Sequence, residues 1–201
     1  MPNPHDTLLA AAARQILGPL GFRRKGRSRI WMADHGSRLT IVEFQPSGWA
    51  KGSYLNVAAH WLWVEQDHLS FDYGGRVETF VDYVSDTQFG PEAIRLAQAA
   101  ADEATLLDQT FRSPDDVARV LVARERALPK AARGSWSAYH AGMAAEMAGR
   151  TADATALFQS VQDPRVQPAV ARVSTLLADP AGFRTEVEQL ITAHRHTLGL
   201  H

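Results

Sequence analysis

The chain has 201 residues, 45% of them apolar and 21% charged, with a net charge of −1 and no cysteine. Those values lie in the ordinary globular range and exclude wholesale disorder, a disulfide framework, a thiolate nucleophile and any Cys-ligated zinc or iron–sulfur centre. The near-neutral total speaks against an obligate nucleic-acid binder, although charge is uneven: 8 basic against 3 acidic side chains in residues 1–64, 2 against 10 in 65–110, and 11 against 9 in 111–201.

Asp6 precedes a stretch in which Leu8, Leu9, Ala12, Ile16 and Leu17 recur at helical spacing, and Gly18-Pro19-Leu20-Gly21 stops it. This predicts a first amphipathic helix. From Phe22 the period shortens. Ser28–Ala33 reads as a strand, Asp34-His35-Gly36-Ser37 as a turn, and Leu39–Gln45 as an alternating, β-branched strand, giving a hairpin. Residues 46–52 form a loop carrying Trp49, after which Tyr54 to Trp61 is a longer strand. Leu69–Tyr73 and, after Gly74-Gly75, Arg76–Phe80 read as further extended pieces.

Beyond Pro91 the pattern is helical. Pro91–Phe111 starts with proline in its first turn, and Ser113-Pro114-Asp115-Asp116 caps the next helix, which ends before Pro129. Trp136–Met147, Ala152–Gln162, Val166–Ala178 and Pro180–Leu198 complete the series. The fold class is therefore α+β: an N-terminal helix packed on an antiparallel sheet of about four to five strands, followed by a C-terminal array of α-helices. Residues 1–112 form the α+β domain and 113–201 a helical extension, possible as parts of one single domain. The N-terminus has no basic region before its apolar stretch, so no signal peptide is read and the expected location is cytoplasmic. No stretch reaches the roughly 20 apolar residues of a membrane span. The Arg-over-Lys bias and the many alanines point to a GC-rich bacterial gene.

Two resemblances follow from quoted residues. In residues 17–63, Gly21-Phe22 followed by basic residues and Gly26, an aromatic-bearing strand, a hairpin ending in Phe44-Gln45, a Ser/Gly/Trp loop and a strand with Asn56 and Val57 resemble the bacterial DUF4304 family. That resemblance implies an α+β fold and carries over no catalytic residues. In residues 135–164, Gly142, Gly149, Ala154 and Phe158 are similar in spacing to a tetratricopeptide hairpin, with Trp136 off register and Ala145 where a large aromatic is usual. A plain helical hairpin with the same packing logic fits the residues too.

The candidate binding residues are Arg23, Lys25, Arg27, Arg29, Trp31 and Trp49. In an extended segment, Arg23, Lys25, Arg27 and Arg29 share one face, with Trp31 and Trp49 as stacking surfaces. The same run also reads as a solvated edge strand guarded by positive charge. Trp49 either folds back onto the core or waits for a partner. His60 with Glu43 or Asp72 could make an acid–base pair, and an ordinary hydrogen-bonded histidine is the competing reading. His194 and His196 lie on opposite sides of a helix and cannot share a metal. No phosphate loop, nucleophile elbow or His-Glu-x-x-His pattern occurs, so no catalytic residue, cofactor or metal is assigned. The expected function is a non-catalytic protein-interaction or regulatory module, immunity-like, with a protein partner and no membrane. Nucleic-acid or phosphorylated-ligand binding through residues 23–29 is the first alternative, and an enzyme of unfamiliar type the second.

Overall fold

Elements form where the sequence changes its hydrophobic period, and the computed structural model, described here for residues 3–200, follows those changes closely. The chain divides into two compact units. The first takes the residues up to His60 together with Leu69–Asp108; the second takes Trp61–His68 and everything from Gln109 onward. The break thus falls four residues before the 112/113 boundary read from the sequence, and the helical unit also claims the short segment that follows the fourth strand.

The first unit opens with α1 (Pro4–Ile16), whose buried Leu9, Ala12 and Ala13 fall on one helical face. Five strands follow: β1 (Arg23–Arg24), β2 (Ile30–Asp34), β3 (Arg38–Gln45), β4 (Gly52–Trp61) and β5 (Tyr73–Asp82). They lie in sequence order as an antiparallel meander. A long helix, α2 (Asp86–Thr110), completes the unit. One sheet face meets the helices: Arg29 is ion-paired with Asp6 of α1, Arg38 with Asp108 of α2 at 2.7 Å, and Glu78 with Arg95 of α2 at 2.8 Å. Trp31, Val42, Phe44, Leu55 and Val57 are buried there, each of these side chains contributing about 1.5–3 kcal/mol or more.

Strand and helix limits differ from the sequence reading at several points, among them the helix Gln167–Ser174, which the sequence reading extends to Ala178, and two of the differences have clear local reasons. Leu69–Tyr73 is not a strand of its own; β5 instead runs through Gly74 and Gly75, and a Cβ at Gly74 would stand 2.5 Å from the Val57 carbonyl oxygen, so only glycine lets β5 close on β4. Helix α2 begins at Asp86 rather than Pro91 because Ser85 caps it, its hydroxyl accepting from the Gln88 N–H at 3.2 Å. Pro91 then falls inside the helix and costs it one backbone bond.

The second unit is an array of helices: α3 (Pro114–Ala127), α4 (Trp136–Met147), α5 (Thr151–Ser160), α6 (Gln167–Ser174) and α7 (Pro180–Leu198). Ser113 caps α3 by accepting from Asp116 N–H, and Asp179 caps α7 by accepting from Gly182 N–H. Helix α4 is buried nearly all round, from Ala138 to Glu146, and packs against α3 and α5. Its alanines and Gly142 are what let both neighbours approach. The segment Trp61–His68 supplies two stacked indoles, Trp61 and Trp63, with centroids 4.6 Å apart and planes 3° from parallel. Trp63 Nε1 donates to His140 Nδ1 at 3.0 Å, and the Tyr139 hydroxyl donates to the Trp63 carbonyl at 3.2 Å.

Candidate functional site

The basic run does not form one extended strand, which corrects the shared-face arrangement. Only Arg23 and Arg24 are in β1; the chain then turns over Lys25–Ser28, where the Ser28 N–H donates to the Lys25 carbonyl at 3.0 Å, the Lys25 N–H donates to the Ile30 carbonyl at 2.9 Å, and Gly26 has φ +55°. Arg24 stabilises that turn, donating to the Ser28 and Arg27 carbonyls at 2.6 and 3.1 Å. Arg23, Lys25, Arg27 and Arg29 therefore point differently. Arg29 turns inward, pairs with Asp6 and donates to the Gly52 carbonyl at 3.1 Å, tying α1 to the start of β4. Trp31 is only 4% exposed, so its ring is core and offers no stacking face. Arg29 and Trp31 hold the fold, whereas Arg23 and Arg27 are exposed and Lys25 half-buried.

Trp49 decides between its two readings in the opposite sense: its side chain is 100% exposed. Its backbone N–H donates to Ser47 Oγ at 3.1 Å, which fixes the loop tip while the indole stands off the core. The register Ile30↔Glu43 and the Arg29–Gly52 bond place the Lys25–Ser28 turn and the Trp49 loop at the same end of the sheet. The Tyr83 N–H donates to the Lys51 carbonyl at 2.9 Å, so Lys51 and the exposed Val84 lie at that end too. Lys25, Arg27 and Lys51 thus lie at the same end of the sheet as two uncovered apolar side chains, Trp49 and Val84.

A second feature of this unit is barely signalled in the sequence. On the sheet face opposite the helices, Asn56 of β4 stands across from Arg76 of β5. Arg76 Nε donates to Asn56 Oδ1 at 2.7 Å and its Nη2 to Gln45 Oε1 at 2.7 Å, while the Asn56 amide donates to Glu43 Oε2 at 2.8 Å and Gln45 Oε1 at 3.0 Å. The Arg76 guanidinium lies 3.9 Å above the Tyr54 ring, whose other neighbour is Phe80 at 4.9 Å. Arg76 is exposed yet held in one orientation, which lowers the entropy it would lose on meeting a carboxylate. Gln45 runs directly into the Trp49 loop, so this arginine extends the same surface. The polar residues Asn56, Glu43 and Gln45 interrupting apolar strands were the only hint of it.

His60 has Asp72, not Glu43, as its acidic neighbour. Its Nδ1 lies 3.4 Å from Asp72 Oδ2 and 3.0 Å from Ser70 Oγ, and the Ser70 hydroxyl donates to Asp72 Oδ1 at 2.7 Å. Serine and carboxylate meet the same ring nitrogen, whereas a nucleophilic triad uses the two nitrogens in relay. The imidazole is fully buried, so the trio anchors the chain before β5. Among the described residues, no three His, Asp or Glu side chains gather to hold a metal, and no helix is long and apolar enough to cross a membrane.

Comparison of the chain with family models, with curated proteins and with solved structures gave no match. The functional reading therefore rests on the geometry.

Proposed function

We propose that the chain is a non-catalytic interaction module, regulatory or immunity-like, whose first unit engages an acidic protein partner through the Trp49 end of its sheet. The observation that carries this is the complete exposure of Trp49 on a loop braced by its own hydrogen bond. Tryptophan and arginine dominate binding energy at protein interfaces, and a solvated indole gains most when a partner buries it. Lys25, Arg27 and Lys51 at the same end, with the preset Arg76 on the adjoining face, favour an acidic counter-surface and a fast, salt-sensitive encounter. The resemblance of residues 17–63 to the DUF4304 family belongs to this proposal; Gly21 and Gly26, two of the residues that carry it, both occupy positive φ.

Affinity capture by the tagged chain, after nuclease treatment and at low and moderate salt, tests the reading. A stoichiometric protein recovered by the wild type and lost with both Trp49→Ala and Arg27→Glu supports it. Partners that all survive both substitutions refute it. Nucleic acid recovered at low salt and released at moderate salt would favour the alternative, for which burial of Trp31 already leaves one stacking surface instead of two.

A further inference from the structure

A groove of about 240 Å³ runs between α1 and β1 in the first unit, lined by Asp6, Thr7, Ala10, Ala11 and Arg14 of the helix and by Arg24 of the strand. Thr7, Ala10, Ala11 and Arg14 are spaced i, i+3, i+4 and i+7, so they share one face of α1. The two alanines leave the space, and each wall carries one arginine. The volume falls below the roughly 300–1,000 Å³ of drug-sized ligand pockets, which restricts an occupant to a small group.

The groove differs from the other arginine-lined surfaces in carrying charge that the fold does not compensate. Asp6, the one carboxylate in its lining, is ion-paired with Arg29. Arg24 is half-buried and bonded to neutral partners: Nε donates to the Ser28 carbonyl at 2.6 Å and Nη2 to the Arg27 carbonyl at 3.1 Å. Those bonds orient the planar guanidinium and use neither N–H of Nη1. Arg14 is exposed, and among the described residues no carboxylate is paired with it. The other acidic side chains of residues 1–64 are committed outside the lining, Asp34 Oδ1 accepting from the Gly36 N–H at 2.9 Å and Glu43 Oε2 from the Asn56 amide at 2.8 Å. Arg14 and Arg24 thus bring two uncompensated positive charges to one small space.

We infer that this groove binds the dianionic phosphate group of a small phosphomonoester. Two uncompensated guanidinium groups match the charge of about −2 that such a phosphate carries above its second pKa of about 6. The free edge of Arg24 and the guanidinium of Arg14 donate to its oxygens, and the Thr7 hydroxyl supplies a further donor. Arg24 is held in place before the ligand arrives, so little of its side-chain entropy is lost on binding. A phosphodiester brings a single charge and binds more weakly; an alcohol brings none. The site uses none of Trp49, Arg27, Lys51 and Arg76, so it stands or falls independently of the Trp49 surface.

Titration of the ¹⁵N-labelled chain with glycerol 3-phosphate at about pH 7.5 and low salt, followed at the Arg24 Nε–H and the Ala11 amide, tests the assignment, with dimethyl phosphate and glycerol as monoanionic and neutral counterparts. Both resonances are expected to shift saturably with a Kd of about 1 mM or lower. Arg14→Gln, a substitution on an exposed side chain, should weaken binding about tenfold, whereas Arg23→Gln, which removes an exposed cation outside the groove, should change it less than about twofold. The inference is overturned by resonances unmoved at about 10 mM glycerol 3-phosphate, by dimethyl phosphate or glycerol binding as tightly, by an Arg14→Gln variant that keeps the wild-type affinity, or by an Arg23→Gln variant that loses as much as Arg14→Gln, the mark of a diffuse positive surface.

Discussion

Gly142 of α4 faces the ring of Phe158 of α5 so closely that a Cβ at position 142 would stand 2.5 Å from Cε1 and 2.8 Å from Cδ1. This is the contact that sets how near the two helices approach. Alanine at 142 would gain about 1 kcal/mol of intrinsic helix preference, yet Phe158 is itself 3% exposed and has nowhere to swing. Overpacking of this kind costs about 1–3 kcal/mol or more, so Gly142→Ala is expected to be destabilising overall. Thermal unfolding of Gly142→Ala, Phe158→Leu and the double variant checks this: the pair should be non-additive by at least about 0.5 kcal/mol, and strict additivity would remove the contact from the account.

The hairpin of α4 and α5 was legible because Gly142 and Phe158 show themselves as residue types at a fixed spacing. Helix α1, strand β3 and the Ser113 cap were legible for the same reason: each depends on a local period or a local cap. The basic run was not. Alternating cations look alike in a strand and in a hairpin, and what decides between them is Gly26 at positive φ together with Arg24 bonding back onto the turn carbonyls. Arg76 was missed because its bonds reach Gln45 and Asn56 on two other strands, and register between strands is written nowhere in the linear order.

Trp31 and Trp49 should behave as opposites although sequence placed them together. Trp31→Ala removes a buried ring and is expected to cost about 3–5 kcal/mol of stability. Trp49→Ala removes a fully solvated one and should change stability by no more than about 0.5 kcal/mol. Urea denaturation of the two variants measures both. Capture of a protein partner should fail for Trp49→Ala while its unfolding midpoint stays at the wild-type value, separating a contact residue from a core residue.

Glu125 is a buried carboxylate at the end of α3, 4% exposed, and its two oxygens are both used by the segment leading into α4: Oε1 accepts from the Gly134 N–H at 3.0 Å and Oε2 from the Ser137 hydroxyl at 2.5 Å. Glu125→Ala strands both donors and is expected to lower stability by about 2–4 kcal/mol. Glu125→Gln keeps one acceptor oxygen and turns an amide donor toward the other partner, so it should recover only part of the loss. Equal stability of Glu125→Ala and wild type in denaturant would show that water replaces the carboxylate at no cost.

His5 makes stability depend on pH near neutrality. It sits in the first turn of α1, 4% exposed, with Tyr83 at 5.3 Å and Phe89 at 6.3 Å. Burial lowers its pKa below 6.5, and Arg29 and Lys51 push the same way against the opposing pull of Asp6. The neutral ring is thus the form the fold prefers, and between the lowered pKa and 6.5 the unfolded chain binds more protons than the folded one. The contribution is present above 6.5 and is lost as pH falls through the folded-state value. His35 acts with the same sign, lowered chiefly by burial and then by Arg38, against Asp108 and Asp34. Denaturant midpoints for wild type and His5→Phe, from about pH 7.5 to about pH 5, should show a shallower decline for the variant, the residual slope including the His35 share. Parallel curves would mean that the imidazole takes up its proton inside the fold as readily as outside it.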